Sequence, residues 1–198
     1  MTKKAAPREI RIVGGQWKRS KLPVLDAPGL RPTPDRVRET LFNWLMFQAG
    51  GSLAGWRVID AFAGTGALGW EAASRGAQAL LVEREAALVA ALHRVKERLQ
   101  ADHVQIRRAD GVAALQSAAP DSVDLVFLDP PFGGALLAPA LAAAARCVRA
   151  AGFVYAESDA ALDDDALHAL GLTALRHRKA GQVHAHLLQK MLQESTLP

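Results

Sequence analysis

The sequence predicts a doubly wound α/β domain, and three observations support that fold class. Short apolar strands alternate with amphipathic helical segments from residue 57 onwards. A glycine-rich loop joins the first of these strands to the helix that follows it. The 198 residues, of which 50% are hydrophobic and 22% charged, fit one domain with a small appendage. In such folds ligands bind beyond the carboxyl ends of the strands, so functional side chains are expected there.

The spacing of apolar residues predicts the elements in order. An early helix has Thr33 as its cap, Pro34 at its first position and apolar residues at helical spacing, and it ends near Gly50. Strands are then predicted at 57–62, 79–83, 104–108, 124–128, 153–157, 173–178 and 183–189. Helices are predicted at 67–75, 85–100, 111–117, 136–149 and 163–170.

The N-terminal segment 1–30 is predicted to be a basic arm that precedes the main domain at 31–198. Polar and apolar residues alternate over 8–13 and 16–22, on either side of Gly14-Gly15. Two alternating segments around a glycine pair are typical of a β-hairpin, so we expect a small hairpin extension.

Positive charge is concentrated in this arm. The net charge of the chain is +4, and nine Lys and Arg residues precede Val37 against three acidic ones. A solvated tail would be the plain interpretation, but Ile10, Ile12 and Trp17 lie among the basic residues, and a disordered tail would not need them. We therefore favour a surface that binds the phosphates of a nucleic acid. Its candidate residues are Arg11, Lys18, Arg19, Lys21, Arg31 and Arg36.

Composition excludes several classes of protein. Cys147 is the only cysteine, which rules out a disulfide framework and a cysteine-based zinc site. It lies in a run of small apolar residues and is interpreted as a core residue, which argues against a covalent cysteine adduct in catalysis. The first ten residues have no apolar run of a secretory leader, and no segment reaches the ~18 apolar residues of a membrane span. We expect a cytoplasmic protein.

The glycine loop Gly64-Thr65-Gly66-Ala67-Leu68-Gly69 matches the G-x-G-x-x-G pattern of dinucleotide-binding proteins. However, the preceding strand contains Asp60, a carboxylate that would repel a pyrophosphate and attract a cationic amine. S-adenosylmethionine carries an amine and a sulfonium and no phosphate, so Asp60 favours it over NAD. Two alternatives stay open: that Gly64 and Gly66 only form a tight turn, and that the protein is an NAD-dependent oxidoreductase.

Two further strand-end carboxylates are candidates for cofactor binding. Glu83 ends the second strand of the domain and could accept both hydroxyls of a ribose, although it could also be a solvated acid before a helix. Asp110 ends the third strand and could bind an adenine amine or cap the next helix.

The sequence Asp129-Pro130-Pro131-Phe132 follows the fourth strand and indicates methylation of an amine on a base. The lone pair of such an amine is delocalised into the ring, so the enzyme must position it. Asp129 and the carbonyl of Pro130 can each accept one amine hydrogen bond, and Phe132 offers a face for stacking a flipped base. A proline-rich turn without function is the weaker alternative.

His184 and His186 lie on one side of the last predicted strand, and such a pair can bind a metal. Without a third ligand nearby in the sequence, we expect no metal site.

Five segments of the sequence together resemble known methyltransferases. Asp60-x-Phe62-x-Gly64-x-Gly66 with Asp129-Pro130-Pro131-Phe132 is similar to the class I S-adenosylmethionine-dependent amino-methyltransferases. The segments 10–22, 29–45 and 179–188 resemble the bacterial RsmD family, whose members methylate N2 of one guanine in 16S ribosomal RNA of the small subunit.

The resemblance implies a seven-stranded Rossmann-like sheet with its last strand antiparallel. It implies that Asp60, Phe62, Gly64 and Gly66 line the methionine end of the cofactor, with Glu83 at the ribose and Asp110 at the adenine. The segment containing Arg31 and Thr33 would close over the cofactor, Asp129 and Phe132 would hold the guanine, and the basic hairpin would bind RNA. We expect a monomer. Alternatives are an adenine-N6 or glutamine-amide methyltransferase, or an RNA-binding module without catalysis.

Overall fold

The computed structural model describes residues 9–25, 35–131 and 135–192. Its strands are β1 (Glu9–Arg11), β2 (Lys21–Pro23), β3 (Arg57–Asp60), β4 (Gln78–Glu83), β5 (Val104–Arg108), β6 (Val123–Leu128), β7 (Val148–Ser158), β8 (Leu172–Ala180) and β9 (Val183–Lys190). Its helices are α1 (Asp35–Gln48), α2 (Ala67–Ser74), α3 (Ala86–Leu99), α4 (Gly111–Ser117), α5 (Leu137–Cys147) and α6 (Asp164–Ala169).

The predicted fold class is confirmed by the sheet topology. Seven strands form one sheet in the order β5-β4-β3-β6-β7-β9-β8. The first five strands in this order, β5, β4, β3, β6 and β7, are parallel to one another. The strand β9 lies between β7 and β8 and is antiparallel to both. The chain leaves β3 towards β4 on one side and later returns to β6 on the other. The carboxyl ends of β3 and β6 therefore flank the point where ligands bind in open α/β sheets.

Alternation of side chains along the strands builds a separate core on each face of the sheet. On β6, Leu125 and Phe127 pack with α1 and α2, while Val126 and Leu128 pack with α4 and α5. The odd-numbered side chains of β6 thus face α1, and Asp129 continues that row beyond the strand. Among the described helices, none has the length and apolar character needed to cross a membrane.

The N-terminal hairpin packs onto the main sheet layer through its apolar side. Ile10, Ile12 and Leu22 are buried in one cluster with Trp70 of α2 and Leu92 of α3. An unstructured tail is thus excluded for residues 9–25. The division at residue 30 falls outside the described residues and stays a prediction.

The hairpin has shorter strands than its alternation predicts. The pairing joins Ile10 to Leu22, so the segment 12–20 forms a long connection instead of a tight turn at Gly14-Gly15. The cause is contact with α2: the backbone N–H groups of Gln16 and Trp17 donate to the carbonyl and hydroxyl oxygens of Ser74, at 2.7 Å and 2.9 Å. Gly15 has φ +78°, and a Cβ there would lie 1.9 Å from the Ser74 carbonyl oxygen. Long-range hydrogen bonds therefore override the local turn signal.

Glu71 of α2 joins three parts of the structure. Its side chain and that of Arg38 on α1 are fully buried, and Arg38 Nη1 donates to Glu71 Oε1 at 2.8 Å. The backbone N–H of Val13 in the hairpin donates to the same oxygen at 2.6 Å. Arg75 donates to the other oxygen and also lies over the Phe42 ring of α1, 4.3 Å from its centroid. One buried carboxylate thus holds α1, α2 and the hairpin together.

We predict that Glu71→Gln lowers the free energy of unfolding by about 3–5 kcal/mol, because it removes the buried counter-charge of the Arg38 guanidinium, while Asp35, which also pairs with Arg38, is exposed to solvent. Urea denaturation followed by circular dichroism measures the loss. Glu97→Gln on the exposed side of α3 is the matched control and should change the free energy of unfolding by less than about 0.5 kcal/mol. Equal effects of the two substitutions would contradict the assigned role of Glu71.

Candidate functional site

Five carboxylates lie at or just beyond the carboxyl ends of neighbouring parallel strands. Asp60, Glu83, Asp110 and Asp129 follow or end β3, β4, β5 and β6, as the sequence predicts, and Glu157 lies at the end of β7. Because parallel strands end at one edge of the sheet, these side chains form an acidic rim there.

Asp60 is buried beneath the N-terminus of α2. Its side chain is 2% exposed, and Oδ2 accepts the backbone N–H of Gly69 in the first turn of the helix at 2.9 Å. Burial raises the pKa of Asp60 to about 7, the charge of Glu83 adds to the rise, and backbone hydrogen bonds from Gly69 and Phe62 oppose it. The Asp60 side chain therefore binds a backbone N–H at the positive end of the α2 dipole.

The glycine loop bends tightly and packs inward. Gly64 and Gly66 have φ values of +54° and +77°, in the left-handed region that favours glycine. A Cβ at Gly66 would lie 2.5 Å from Trp70 Nε1 and 2.7 Å from Leu92. Gly66 is therefore required by packing against α2 and α3, in addition to any contact with a ligand.

Glu83 connects the end of β4 to the glycine loop. Its Oε2 accepts the backbone N–H of Gly64 at 2.9 Å, and its Oε1 accepts those of Arg84 and Glu85 at 2.7 Å and 2.8 Å. A carboxylate has about four lone pairs, so about one remains for a ligand hydroxyl. Glu83 is therefore not the solvated acid that the sequence also allowed, because its side chain joins the glycine loop after β3 to the residues that follow β4.

Asp110 caps α4, which was one of its two predicted roles. Its Oδ1 accepts the backbone N–H of Ala113 at 2.9 Å, and the side chain is exposed. The start of α4 passes close under the loop after β3: a Cβ at Gly111 would lie 2.2 Å from the Ala61 carbonyl oxygen and 2.9 Å from the Phe62 ring. The predicted cofactor residues Phe62 and Asp110 are thus on adjoining loops.

The predicted base-binding residues lie at the end of β6. Asp129 is half-buried and Pro130 is buried. Phe132 lies outside the described residues, as do Thr33 and Arg31.

Tyr155 and Glu157 of β7 form a buried pair that the sequence analysis missed. The Tyr155 hydroxyl donates to Glu157 Oε1 at 2.8 Å, and Glu157 is only 5% exposed. The pairing of Leu128 with Ala156 puts Glu157 beside Asp129, one residue beyond the paired positions. Burial, Glu157 and the charge of Asp129 raise the pKa of Tyr155. The available signal was the carboxylate of Glu157 at the end of the strand predicted at 153–157.

The hairpin residues proposed to contact nucleic acid are exposed. Lys18 and Arg19 lie in the connection of the hairpin, on the side away from its buried apolar residues. Lys21 forms a salt bridge with Glu9 at 2.8 Å, so part of its charge is neutralised. The other exposed candidates among the described residues are Arg11 and Arg36.

A groove of about 450 Å³ lies at the opposite edge of the sheet. Its lining includes Arg57, Gln78 and Ser122, near the amino ends of β3, β4 and β6. That position separates it from the acidic rim.

Comparison with known proteins shows the family to which this chain belongs. A family model described as "Conserved hypothetical protein 95" matches residues 10–189. Ribosomal RNA small subunit methyltransferase D of Escherichia coli K12 is 46% identical over 131 residues, which are 65% of this chain and 63% of that protein. The match thus spans less than two thirds of the relative's length.

Solved structures show the same architecture. A candidate methyltransferase from Escherichia coli has a TM-score of 0.78 and 33% identity, over 93% of this chain and 99% of that chain. A Thermus thermophilus 16S rRNA N2 methyltransferase (RsmC) in complex with AdoMet and guanosine has a TM-score of 0.56 and 24% identity, over 96% of this chain and 46% of that chain, and shows the fold alone.

The strand order and these neighbours define a class I methyltransferase fold, as the sequence predicts. Within that class, the chain belongs to the family described as "Conserved hypothetical protein 95", and the resemblance to the RsmD family is confirmed.

The raised pKa of Asp60 gives a prediction for stability against pH. The folded chain holds the Asp60 proton up to about pH 7, whereas the unfolded chain loses it near pH 3.8. The free energy of unfolding should therefore fall as pH rises from about 4 to 7 and level off above 7. A pKa rise of about three pH units corresponds to about 4 kcal/mol.

Asp60→Asn removes this titration while keeping an oxygen that can accept from Gly69. The stability of the variant relative to the unmodified protein should increase from pH 4 to pH 7, as measured by urea denaturation at each pH. Asp102→Asn, at an exposed site, is the control. Parallel stability curves for the unmodified protein and Asp60→Asn would contradict the assignment.

Proposed function

We propose that this chain is an S-adenosylmethionine-dependent methyltransferase that modifies the exocyclic N2 amine of a guanine in 16S ribosomal RNA. The observation that carries the proposal is the position of Asp60 beneath α2, and the family supplies the class of substrate. Escherichia coli Ribosomal RNA small subunit methyltransferase D is named for this type of RNA.

The first step of the argument concerns the cofactor. In dinucleotide-binding proteins a pyrophosphate binds at the N-terminus of the helix after the glycine loop. Here a carboxylate of the protein accepts the Gly69 N–H in the first turn of that helix. Asp60 already binds this N–H, and in its ionised form it would repel a second anion at this helix end, so the site favours a ligand that is cationic near the loop. This argument disfavours NAD.

The second step concerns the charge of the rim. The charge of Glu83 acts on Asp60, and the charge of Asp129 acts on Tyr155, so negative charge at the strand ends affects neighbouring groups in two parts of the rim. S-adenosylmethionine has a sulfonium and an amine that such a rim would attract, and when bound it supplies an electrophilic methyl group. In this proposal Asp60 positions the glycine loop at the methionine end of the cofactor, and Glu83 binds the ribose hydroxyls. Asp110, Phe62, Gly64, Gly66 and Thr33 complete the proposed set.

The third step concerns the base. Asp129 lies on the face of the sheet that holds Tyr155, and Glu157 is its neighbour on β7. We propose that Asp129 and the Pro130 carbonyl accept the two hydrogens of the guanine amine, which directs its lone pair towards the methyl group. On transfer, the amine nitrogen would bond to the methyl carbon as the carbon–sulfur bond of the sulfonium breaks, which leaves a neutral thioether, and the methylated nitrogen would release one proton to solvent. Phe132 is the proposed stacking surface for the base.

The fourth step concerns RNA. The hairpin is anchored by Ser74 and Glu71 of α2, the helix that also follows the cofactor loop. Basic side chains on this anchored hairpin would bind phosphates at a fixed position relative to the catalytic site, which a tail could not do. The proposed RNA contacts are Arg11, Lys18, Arg19, Lys21, Arg31 and Arg36.

The proposal is tested by incubating the protein with methyl-labelled S-adenosylmethionine and small ribosomal subunits from a strain that lacks the modifying enzyme. We expect label on N2 of one guanine of 16S rRNA. Asp129→Ala should reduce kcat by at least about 100-fold, while cofactor affinity, measured by calorimetry, changes less than about threefold. Both results are expected if Asp129 binds the substrate amine and does not bind the cofactor.

The matched control is Asp102→Ala, at the opposite edge of the sheet, which should retain full kcat. Label on adenine or on protein alone would reject the guanine substrate. Stabilisation by NADH without stabilisation by S-adenosylmethionine in thermal melting would reject the cofactor.

RNA binding by the hairpin has its own test. Lys18→Gln/Arg19→Gln should weaken RNA binding and lower the slope of log K against log salt by about 1.5, since each phosphate contact to single-stranded RNA contributes about 0.7. Filter binding across a salt series measures the slope.

The control Arg57→Gln/Arg176→Gln removes the same charge from two exposed sites outside the hairpin and should leave the slope unchanged. If both pairs of substitutions flatten the slope equally, the hairpin is not the RNA-binding surface.

A further inference from the structure

Three histidines meet on the final strand pair, although the sequence analysis found only two. His184 and His186 lie on β9, and the pairing of β8 with β9 puts His177 directly opposite His186. The nearest side-chain nitrogens of the three residues all lie within 4.8 Å of one another. The sequence prediction of no metal site rested on the lack of a third ligand, and His177 removes that reason.

The spacing of these nitrogens suits a small transition-metal ion. Zinc binds histidine nitrogen at about 2.0–2.1 Å in tetrahedral geometry, which separates two ligand nitrogens by about 3.3 Å. His177 Nε2 and His184 Nδ1 are already 2.9 Å apart. The three imidazole rings are stacked, with the His177 and His186 centroids 4.5 Å apart and their planes at 8°.

The present arrangement leaves one polar atom of the cluster unsatisfied. His186 Nε2 accepts the backbone N–H of Leu162 at 3.2 Å, and the buried Nδ1 has no hydrogen-bond partner. A buried ring nitrogen without a partner is unfavourable. Nδ1 is therefore the nitrogen of His186 that a metal ion could use.

Imidazole nitrogen is a ligand for zinc, copper and nickel, and the three histidines supply three such nitrogens in one cluster.

We propose that His177, His184 and His186 form a zinc-binding site on the β8–β9 hairpin. The ion would connect the edge strand β8 to β9, and the exposed His177 leaves a fourth coordination position open to solvent. The site uses residues on the side of β9 opposite to Ala185 and Leu187, which pack in the core with α1 and Tyr155. It is therefore separate from the acidic rim, and its occupancy does not depend on the proposed methyl transfer.

The test uses tag-free full-length protein, freed of metal with a chelator and titrated with Zn²⁺ by calorimetry. We expect one ion per chain, a higher Tm with zinc, and visible absorption typical of tetrahedral Co²⁺ when cobalt replaces zinc. His177→Ala and His184→Ala remove the two less buried ligands and should each weaken zinc binding by roughly 100-fold or more.

The matched control is His93→Ala, which removes an exposed histidine from α3 and should leave zinc affinity unchanged. Circular dichroism confirms that each variant is folded before titration. The proposal is overturned if the unmodified protein binds no stoichiometric zinc. It is also overturned if folded His177→Ala and His184→Ala bind zinc as tightly as His93→Ala.

Discussion

The buried carboxylate of Glu71 is the interaction on which the arrangement of the molecule depends. It accepts hydrogen bonds from α1, from the hairpin and from its own helix, so three segments far apart in sequence share one anchor. Burying two opposite charges costs solvation free energy, and this cost is offset only when both groups are fully hydrogen-bonded. The pair therefore fixes one relative position of α1 and the hairpin on α2, because any displacement would expose an unpaired charge to an apolar interior.

The helix α2 is also held by a second carboxylate at its other end. Asp60 binds the first turn, while Glu71 and Ser74 bind the last turn to the hairpin. The glycine loop directly precedes this helix, and Glu83 binds the loop from β4. The proposed cofactor loop is thus positioned by hydrogen bonds at both sides, and the proposed RNA surface is fixed to the same helix. The helix α2 would therefore hold the cofactor and the RNA at a fixed position relative to each other.

Local signals in the sequence predict the strands, the helices and the carboxylates at the strand ends. This is possible because the spacing of apolar residues and the end of each strand can be read from residues that are neighbours in the sequence. The Arg38–Glu71 pair was not predicted, since its partners are 33 positions apart and each looks like an ordinary charge on a helix. The prediction of a tight turn at Gly14-Gly15 was wrong, because a hydrogen bond to Ser74, which is remote in sequence, determines the path of the connection. His177 could have been found: a two-residue turn at Gly181-Gln182 places position 177 opposite position 186.

The complete burial of α2 has a consequence for how this protein can change. All eight of its residues are buried, so the helix has no solvent-facing side on which substitutions accumulate without effect. Small side chains at Ala72 and Ala73 leave no room for larger ones. Substitutions are therefore expected to accumulate in the surrounding loops and on the exposed side of the hairpin. The segment from Asp60 to Ser74 would be the last part of the chain to diverge among descendants that still fold.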